Sequence, residues 1–411
     1  LLGHLWFGFF VVAFAAGLVR WLFLGEPQAF QQLVQAVFDM AELGAEIALG
    51  LIGVLALWLG LFRIAESAGL VQRLARLLTP LFRRLMPGVP AGDAAMGSVT
   101  MNLAANALGL DNAATPMGLK AMRDLQALNP SRDTASDAQI LFLVLNTSSV
   151  TLLPVTVFMY RAQQGSEDPT AVFVPILLAT SASSLVGLLA VAWVQRLRVL
   201  DPVVLAYFAG FAVLMAALIT WLAGLPPEVL SARSSLLGNL ILFSVIMVFL
   251  AAGRRRGLDL YDSFTRGARE GFGVAVRIIP FLVAMLVAIG ALRASGALDG
   301  LLWAIEQLFA SLGVNTDFVQ ALPTALMKPF SGSGARAMLL EAMDTHGVDS
   351  FPATVAAVMQ GSTETTFYVL AVYFGSVGIR RVRYAVACGL LADLAGVITA
   401  ILAGYWFFHA G

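Results

Sequence analysis

The sequence predicts an all-α polytopic membrane protein with about nine transmembrane helices and two re-entrant helical hairpins, arranged as two inverted-topology repeats. Three observations carry this expectation. Of the 411 residues 59% are apolar and only 12% are charged, with a mean hydropathy of +0.85, against about 25% charged residues in an average soluble domain. Apolar stretches recur at the length of one bilayer crossing, roughly 20 residues. Three polar motifs of the first half return, in the same order, in the second half.

In chain order the full spans fall at about 3–24, 43–65, 135–161, 170–196, 201–224, 231–253, 271–294, 351–377 and 382–408. Val71 to Leu85 and Leu298 to Leu312 read as amphipathic segments that lie in the interface. Two further regions, about 92–122 and 317–343, are apolar but interrupted by Gly, Pro and polar residues. Broken backbone at membrane depth is tolerated only where protein buries it or a watery cavity receives it, so both regions are read as hairpins.

The duplication rests on paired motifs. "GLFRIAESAGL" (Gly60–Leu70) matches "GALRASGAL" (Gly290–Leu298), with Arg63 opposite Arg293. "NAATPMGLKAM" (Asn112–Met122) aligns without gaps on "SGARAMLLEAM" (Ser333–Met343), and "NTSSVTLLP" (Asn146–Pro154) on "QGSTETTFY" (Gln360–Tyr368). Residues 1–198 form the first repeat and 199–411 the second, which opens with the unmatched span at 201–224. That one extra crossing turns the second copy upside down. Arginines at 63, 73, 76, 83 and 84, at 196 and 198, at 254–256, and at 380, 381 and 383 then share one face, which the positive-inside rule makes cytoplasmic. The N-terminus is expected in the cytoplasm and the C-terminus outside.

Four polar stretches interrupt the apolar background. The first hairpin holds Asn102, Asn106, Asp111, Asn112 and Thr115, with Gly109 and Pro116 as breakers. The third span holds Asn146, Thr147 and Ser148. The second hairpin holds Lys328, Ser331 and Ser333 in "MKPFSGSG", where a helix beginning at Ala335 is expected to leave free N–H groups for an anion or a carbonyl oxygen. The eighth span holds Gln360, Ser362, Thr363, Glu364 and Thr366. Short hydroxyl and amide side chains also serve as glue between membrane helices, at about 0.6 kcal/mol per hydrogen bond, and "SASS" (Ser181–Ser184) is read that way. The four stretches differ in density and in paired placement, and are read as one midplane solute site between the two hairpins.

A carboxylate at a span centre costs a few kcal/mol on insertion scales. Glu364 is therefore expected to bind a coupling cation, a proton or the solute, with Asp111 and Lys328 as further coupling candidates. Pairing with Lys328 or Arg336 is the structural alternative. Asp393 in "GLLADLAGV" is a second intramembrane acid, for which a structural role is weighed equally. No nucleophile–base–orienter set, phosphate loop or nucleic-acid patch is present in the sequence. The lone Cys388 and three scattered histidines offer no metal-ligand spacing. The expectation is a non-enzyme with no cofactor, no metal site and no nucleic-acid partner.

With these residues in hand, residues 1–198 resemble the spore maturation protein A family, through "WLGLFRIAESAGL", "NALGLDNAATPMGLKAM" and "NTSSVTLLPVTV". Residues 200–411 resemble the spore maturation protein B family, through "LMKPFSGSGARAM", "QGSTETTFYVLAVYFGSVGI" and "GLLADLAG". The resemblance implies a fusion of two proteins usually encoded as neighbours. It also implies a nucleoside recognition, or Gate, domain related to parts of concentrative nucleoside transporters and of the ferrous iron transporter. The function expected is a secondary transporter or permease of the bacterial inner membrane for a small polar or anionic solute, nucleoside-like or a small carboxylate. Its partners are the lipid bilayer, the solute and a coupling Na+ or H+. A homodimer is the candidate assembly, because a moving transport half needs a fixed partner. The alternative is a non-transporting scaffold or regulatory protein of the spore-maturation type.

Overall fold

The structure, a computed structural model, describes residues 2–409 except 91, 110, 149 and 150. Among the described residues it is helical, with one isolated bridge between Thr134 and Arg381 and no strand. The helices are α1 (Leu2–Leu22), α2 (Ala29–Ser67), α3 (Leu70–Leu85), α4 (Ala94–Ala107), α5 (Asp111–Ala127), α6 (Asp137–Ser148), α7 (Val155–Gln163), α8 (Phe173–Gln195), α9 (Pro202–Leu222), α10 (Pro227–Arg255), α11 (Leu260–Ala294), α12 (Ala297–Ser311), α13 (Leu322–Met327), α14 (Gly332–His346), α15 (Phe351–Ser362), α16 (Thr366–Ser376) and α17 (Ala385–Phe408).

Six helices among the described residues are long and apolar enough to cross a membrane: α2, α8, α9, α10, α11 and α17. A shorter apolar run, Trp6–Leu22, lies in α1. The all-α polytopic membrane fold expected from the sequence is the observed one.

Two expected spans are not continuous, which corrects the sequence reading. The stretch 135–161 divides into α6 and α7, and 351–377 into α15 and α16. Pro154 explains the first division, since a proline within a helix removes an N–H and clashes with the preceding turn. No proline or glycine stands between Thr363 and Thr365, where the second occurs. There the Glu364 amide leaves the helical ladder and donates to the Thr147 carbonyl at 2.8 Å. A tertiary hydrogen bond, not a helix-breaking residue, holds that division open.

The chain separates into two compact units, each built from both halves of the sequence. The first unit comprises 1–60, 156–169 and 261–360, and the second 61–155, 170–260 and 361–411. Each unit thus holds one hairpin, α13–α14 in the first and α4–α5 in the second. Each also holds the first part of that hairpin's own broken span and the second part of the other.

Within the first unit α2 packs on α11, its counterpart by motif. A Cβ placed on Gly44 would lie 3.1 Å from the Val283 backbone, and one on Gly271 would lie 2.7 Å from that of Ala56. Moving up α2 therefore moves down α11, so the counterparts run antiparallel. The second unit repeats this with α8 and α17. Gly187 faces Ala392, and Gly396 faces Ser183, again in opposite directions. Small residues let these backbones approach, as membrane helix interfaces require. The antiparallel pairing of counterpart helices is what an inverted repeat demands.

The unmatched helix α9 begins cleanly. Asp201 accepts from the Val203 amide at 2.9 Å and Pro202 takes the first helical position. Its Tyr207 hydroxyl donates to the Leu77 carbonyl of α3. That helix is amphipathic as expected, with Val71, Ala75, Phe82 and Leu85 buried and Arg73, Arg76, Arg83 and Arg84 on its other side.

Candidate functional site

The polar residues of the second unit collect where the broken spans meet. Hairpin α4–α5 turns at Gly109, whose φ of +73° a side chain would strain. Asp93 caps α4 by accepting from the Ala95 amide at 2.8 Å. The turn packs on the α6–α7 break, where the Leu152 amide donates to the Ala107 carbonyl at 3.2 Å. Asn106 Nδ2 donates to Asn146 Oδ1 at 2.8 Å, and Asn146 Nδ2 to the Phe142 carbonyl at 2.8 Å. The fully buried Asn102 donates through Nδ2 to the Ala114 carbonyl at 2.8 Å, while its Oδ1 accepts no hydrogen bond among the described residues.

The Ser148 carbonyl ends α6 and accepts from Thr180 Oγ1 at 3.5 Å and Ser184 Oγ at 3.3 Å, both on α8. Thr147 and Ser148 are both fully buried. Facing them, Ser362, Thr363, Thr365 and Thr366 of the other break are buried, and Glu364 is half-buried. The Glu364 carboxylate makes no hydrogen bond or ion pair among the described residues. Thr366 Oγ1 donates to Asp393 Oδ2 at 2.6 Å. Ten polar side chains predicted from sequence thus belong to this unit with described surroundings, nine of them buried or half-buried. The nine are Asn102, Asn106, Asn146, Thr147 and Ser148, with Ser362, Thr363, Glu364 and Thr366. Thr115 is exposed on α5. The side chains of Asp111 and Asn112 lie outside the described residues, as does Val150, the repeat counterpart of Glu364.

Pro116, read as a breaker, does not interrupt the helix: "DNAAT" is already helical and Pro116 sits inside α5. Sequence reading missed Thr180; Ser184, read as interhelical glue, does bond across helices, as does Asp393 through Thr366. Their signal was positional. Asp393 has glycines four residues before and three after it, marking one face of α17 that another backbone approaches.

The first unit holds Lys328, Ser331, Ser333 and Gln360. Here α14 begins at Gly332, three residues before the expected start, because Ser331 is its N-cap and accepts from the Gly334 amide at 3.0 Å. One of the N–H groups expected to await an anion is therefore already satisfied. Ser331 and Ser333 hydroxyls lie 3.1 Å apart. Neither Gly332 nor Gly334 has positive φ; close approach by Met327 and Met285 explains Gly334 instead. Lys328, 5% exposed, donates from Nζ to the Gln360 carbonyl at 2.9 Å, near the negative end of α15.

At the other end of α14 Arg293 grips Glu341 through two nitrogens, one of them Nη2 to Oε2 at 3.1 Å. Thr345 Oγ1 donates to Glu341 Oε1 at 3.0 Å, and Asp299 pairs with Arg293 at 3.2 Å. Nearby His346, at the loop end of α14, has a buried Nε2 with no hydrogen bond among the described residues. Burial, and then the Arg293 charge, push its pKa below the ordinary 6.5. As pH falls through the ordinary histidine range the unfolded chain takes up this proton first, so acid lowers stability. We expect His346→Gln to flatten the fall in melting temperature between about pH 7 and 5. An unchanged pH profile in thermal melts rejects this.

The comparisons with known proteins meet this geometry. The family profile "Gate: Nucleoside recognition" matches residues 48–163 and 275–380, together more than half of the chain and one match in each half. Spore maturation protein B of Bacillus subtilis strain 168 is 44% identical over 158 residues, covering 38% of this chain and 87% of that protein. Spore maturation protein A of the same strain is 43% identical over 155 residues, covering 38% of this chain and 79% of that protein. Among solved structures, CNTnw in an inward-facing substrate-bound state aligns over 98% of this chain and 92% of its own, at 13% identity and a TM-score of 0.42. A doubly substituted CNTnw in an outward-facing state gives 0.38, also at 13% identity. Both scores lie below the level at which a shared fold follows. The matched profile and the two relatives agree, and the chain belongs to the Gate nucleoside-recognition family, with the spore maturation proteins A and B among its relatives.

Proposed function

We propose that this chain is a secondary transporter of the bacterial inner membrane, N-terminus in the cytoplasm and C-terminus outside. Its solute is small and polar or anionic, nucleoside-like or a small carboxylate. One observation carries the reading. The Glu364 amide donates to the Thr147 carbonyl, joining two interrupted spans whose flanks are buried hydroxyls and amides. Discontinuous helices of inverted repeats are where transporters bind solutes, because their ends supply backbone groups that an intact helix consumes. Glu364 is the charged contact for the solute or for a coupling Na+ or H+, while Asn102 offers an oxygen that no donor among the described residues occupies. Lys328 is a further coupling candidate in its own unit. A homodimer supplies the fixed partner.

The second reading, a scaffold of the spore-maturation type, draws on the names of the relatives and on the hydrogen bonds from α8 that stiffen the Ser148 end. Uptake into proteoliposomes of nucleosides and small carboxylates, with and without a sodium or proton gradient, separates the two. Flux above empty vesicles is expected for at least one solute class. Flux equal to that of empty vesicles across the whole panel speaks for the scaffold.

A further inference from the structure

Asp393 lies deep in α17, 5% exposed, and has no part in the function just proposed. Residues 389, 393 and 396 fall on one face of that helix, at i, i+4 and i+7. The two glycines bring the broken spans against this face. A Cβ at Gly389 would meet Thr366 Cγ2 at 2.9 Å and Thr147 Cγ2 at 3.6 Å. One at Gly396 would meet Thr363 Cγ2 at 2.9 Å, Ser362 Oγ at 3.2 Å and Ser183 Cβ at 3.3 Å. Asp393 lies between them, and its Oδ2 accepts from Thr366 Oγ1 at 2.6 Å.

Two residues packed on this patch carry hydroxyls without hydrogen-bond partners among the described residues. Thr147 Oγ1 and Ser183 Oγ belong to residues with no exposed surface, and neither makes a hydrogen bond among the described residues. Buried hydroxyls are seldom left so, and each such group calls for an explanation. Thr180 and Ser184, the neighbours of Ser183 on α8, both reach the Ser148 carbonyl. An acceptor is thus within reach of this face of α8, yet Ser183 Oγ bonds to none among the described residues. The last helical residue of α6 is Ser148, next in sequence to Thr147, so the negative end of that helix lies beside this hydroxyl.

A single carboxylate among hydroxyl oxygens at a helix C-terminus is an environment for a hard cation of low charge. We infer that Asp393, Thr147, Ser183 and Thr366 form a sodium-binding site between α17, α8 and the two breaks. Asp393 supplies the balancing charge and the hydroxyls turn their lone pairs inward. The site is distinct from Glu364. Any role in driving uptake rests on the transport reading; the binding itself does not.

The test is thermal unfolding of the purified full chain in detergent, titrating NaCl against choline chloride at constant ionic strength so that surface screening stays fixed. Sodium is expected to raise the melting temperature saturably, and potassium less. Asp393→Asn should abolish the rise. Thr147→Val and Ser183→Ala should each shift the half-saturating sodium concentration upward by tenfold or more. If Asp393→Asn does not fold, these two near-isosteric variants decide. No sodium response in the wild type, or a response unaltered in all three variants, overturns the assignment. A response to pH alone that Asp393→Asn removes also overturns it, in favour of a proton site. Flux without any sodium effect defeats the ion site and leaves the transporter. Sodium stabilisation with no flux for any solute does the reverse.

Discussion

Arg293→Leu should destabilise the first unit by about 3–5 kcal/mol, the cost of leaving a buried carboxylate without its partner. The Glu341 side chain is only 4% exposed and Arg293 holds it through two nitrogens. The Thr345 hydroxyl would still donate to that carboxylate, which cannot offset the loss of a guanidinium. Burying an ion pair costs desolvation, so removing both charges should be far milder than removing one. The double variant Arg293→Leu with Glu341→Leu is expected to recover most of the loss. Thermal melts of the single and double variants check this, and a double variant no more stable than the single one rejects the explanation. A similar clamp joins the end of α7 to the loop before α15, where the buried Arg161 meets Asp349 at 2.7 Å. Asp349 keeps substantial exposure, so water can solvate it after Arg161 is lost. The penalty there should be smaller.

Glu364→Gln should reduce uptake tenfold or more, equivalent to about 1.4 kcal/mol or more of lost interaction, with little change in melting temperature. The position contributes to the fold through its backbone amide, which Gln retains, and the Glu364–Thr147 hydrogen bond should survive. Only the charge goes. The side chain has no ion pair among the described residues, so no protein group is left uncompensated by the change. Flux equal to wild type, measured at matched protein incorporation, contradicts the role given to Glu364. A melting temperature that falls as far as that of Arg293→Leu indicates instead that the carboxylate supports the fold.

The sequence made the membrane architecture legible because bilayer-length apolar runs and repeated motifs survive without any tertiary knowledge. It also held the cause of the first break, Pro154. The second break was hidden because Thr363 to Thr365 contains no helix breaker. Its cause is a hydrogen bond to a residue more than two hundred positions away, which local propensity cannot express. The start of α14 was misplaced for a related reason. "SGSG" offers several loop-like positions, and only the reach of Ser331 Oγ to the Gly334 amide selects the cap. Asp393 and Ser183 were ambiguous in sequence since polar residues on apolar helices more often serve packing. The neighbouring glycines acquire meaning only once α17 lies against the breaks. Conversely, the pairing of Asn106 with Asn146 follows the motif order, because hairpin and broken span are adjacent parts of one repeat.

The central claim is that the junction of the two breaks opens to water rather than to acyl chains. Glu364→Cys in a Cys388→Ala background, where no other cysteine remains, tests it most directly. In intact membranes a charged methanethiosulfonate should label the introduced thiol, and a transported solute should slow that labelling. Reaction only with a lipid-soluble maleimide, and none with the charged reagent from either side, would contradict the account.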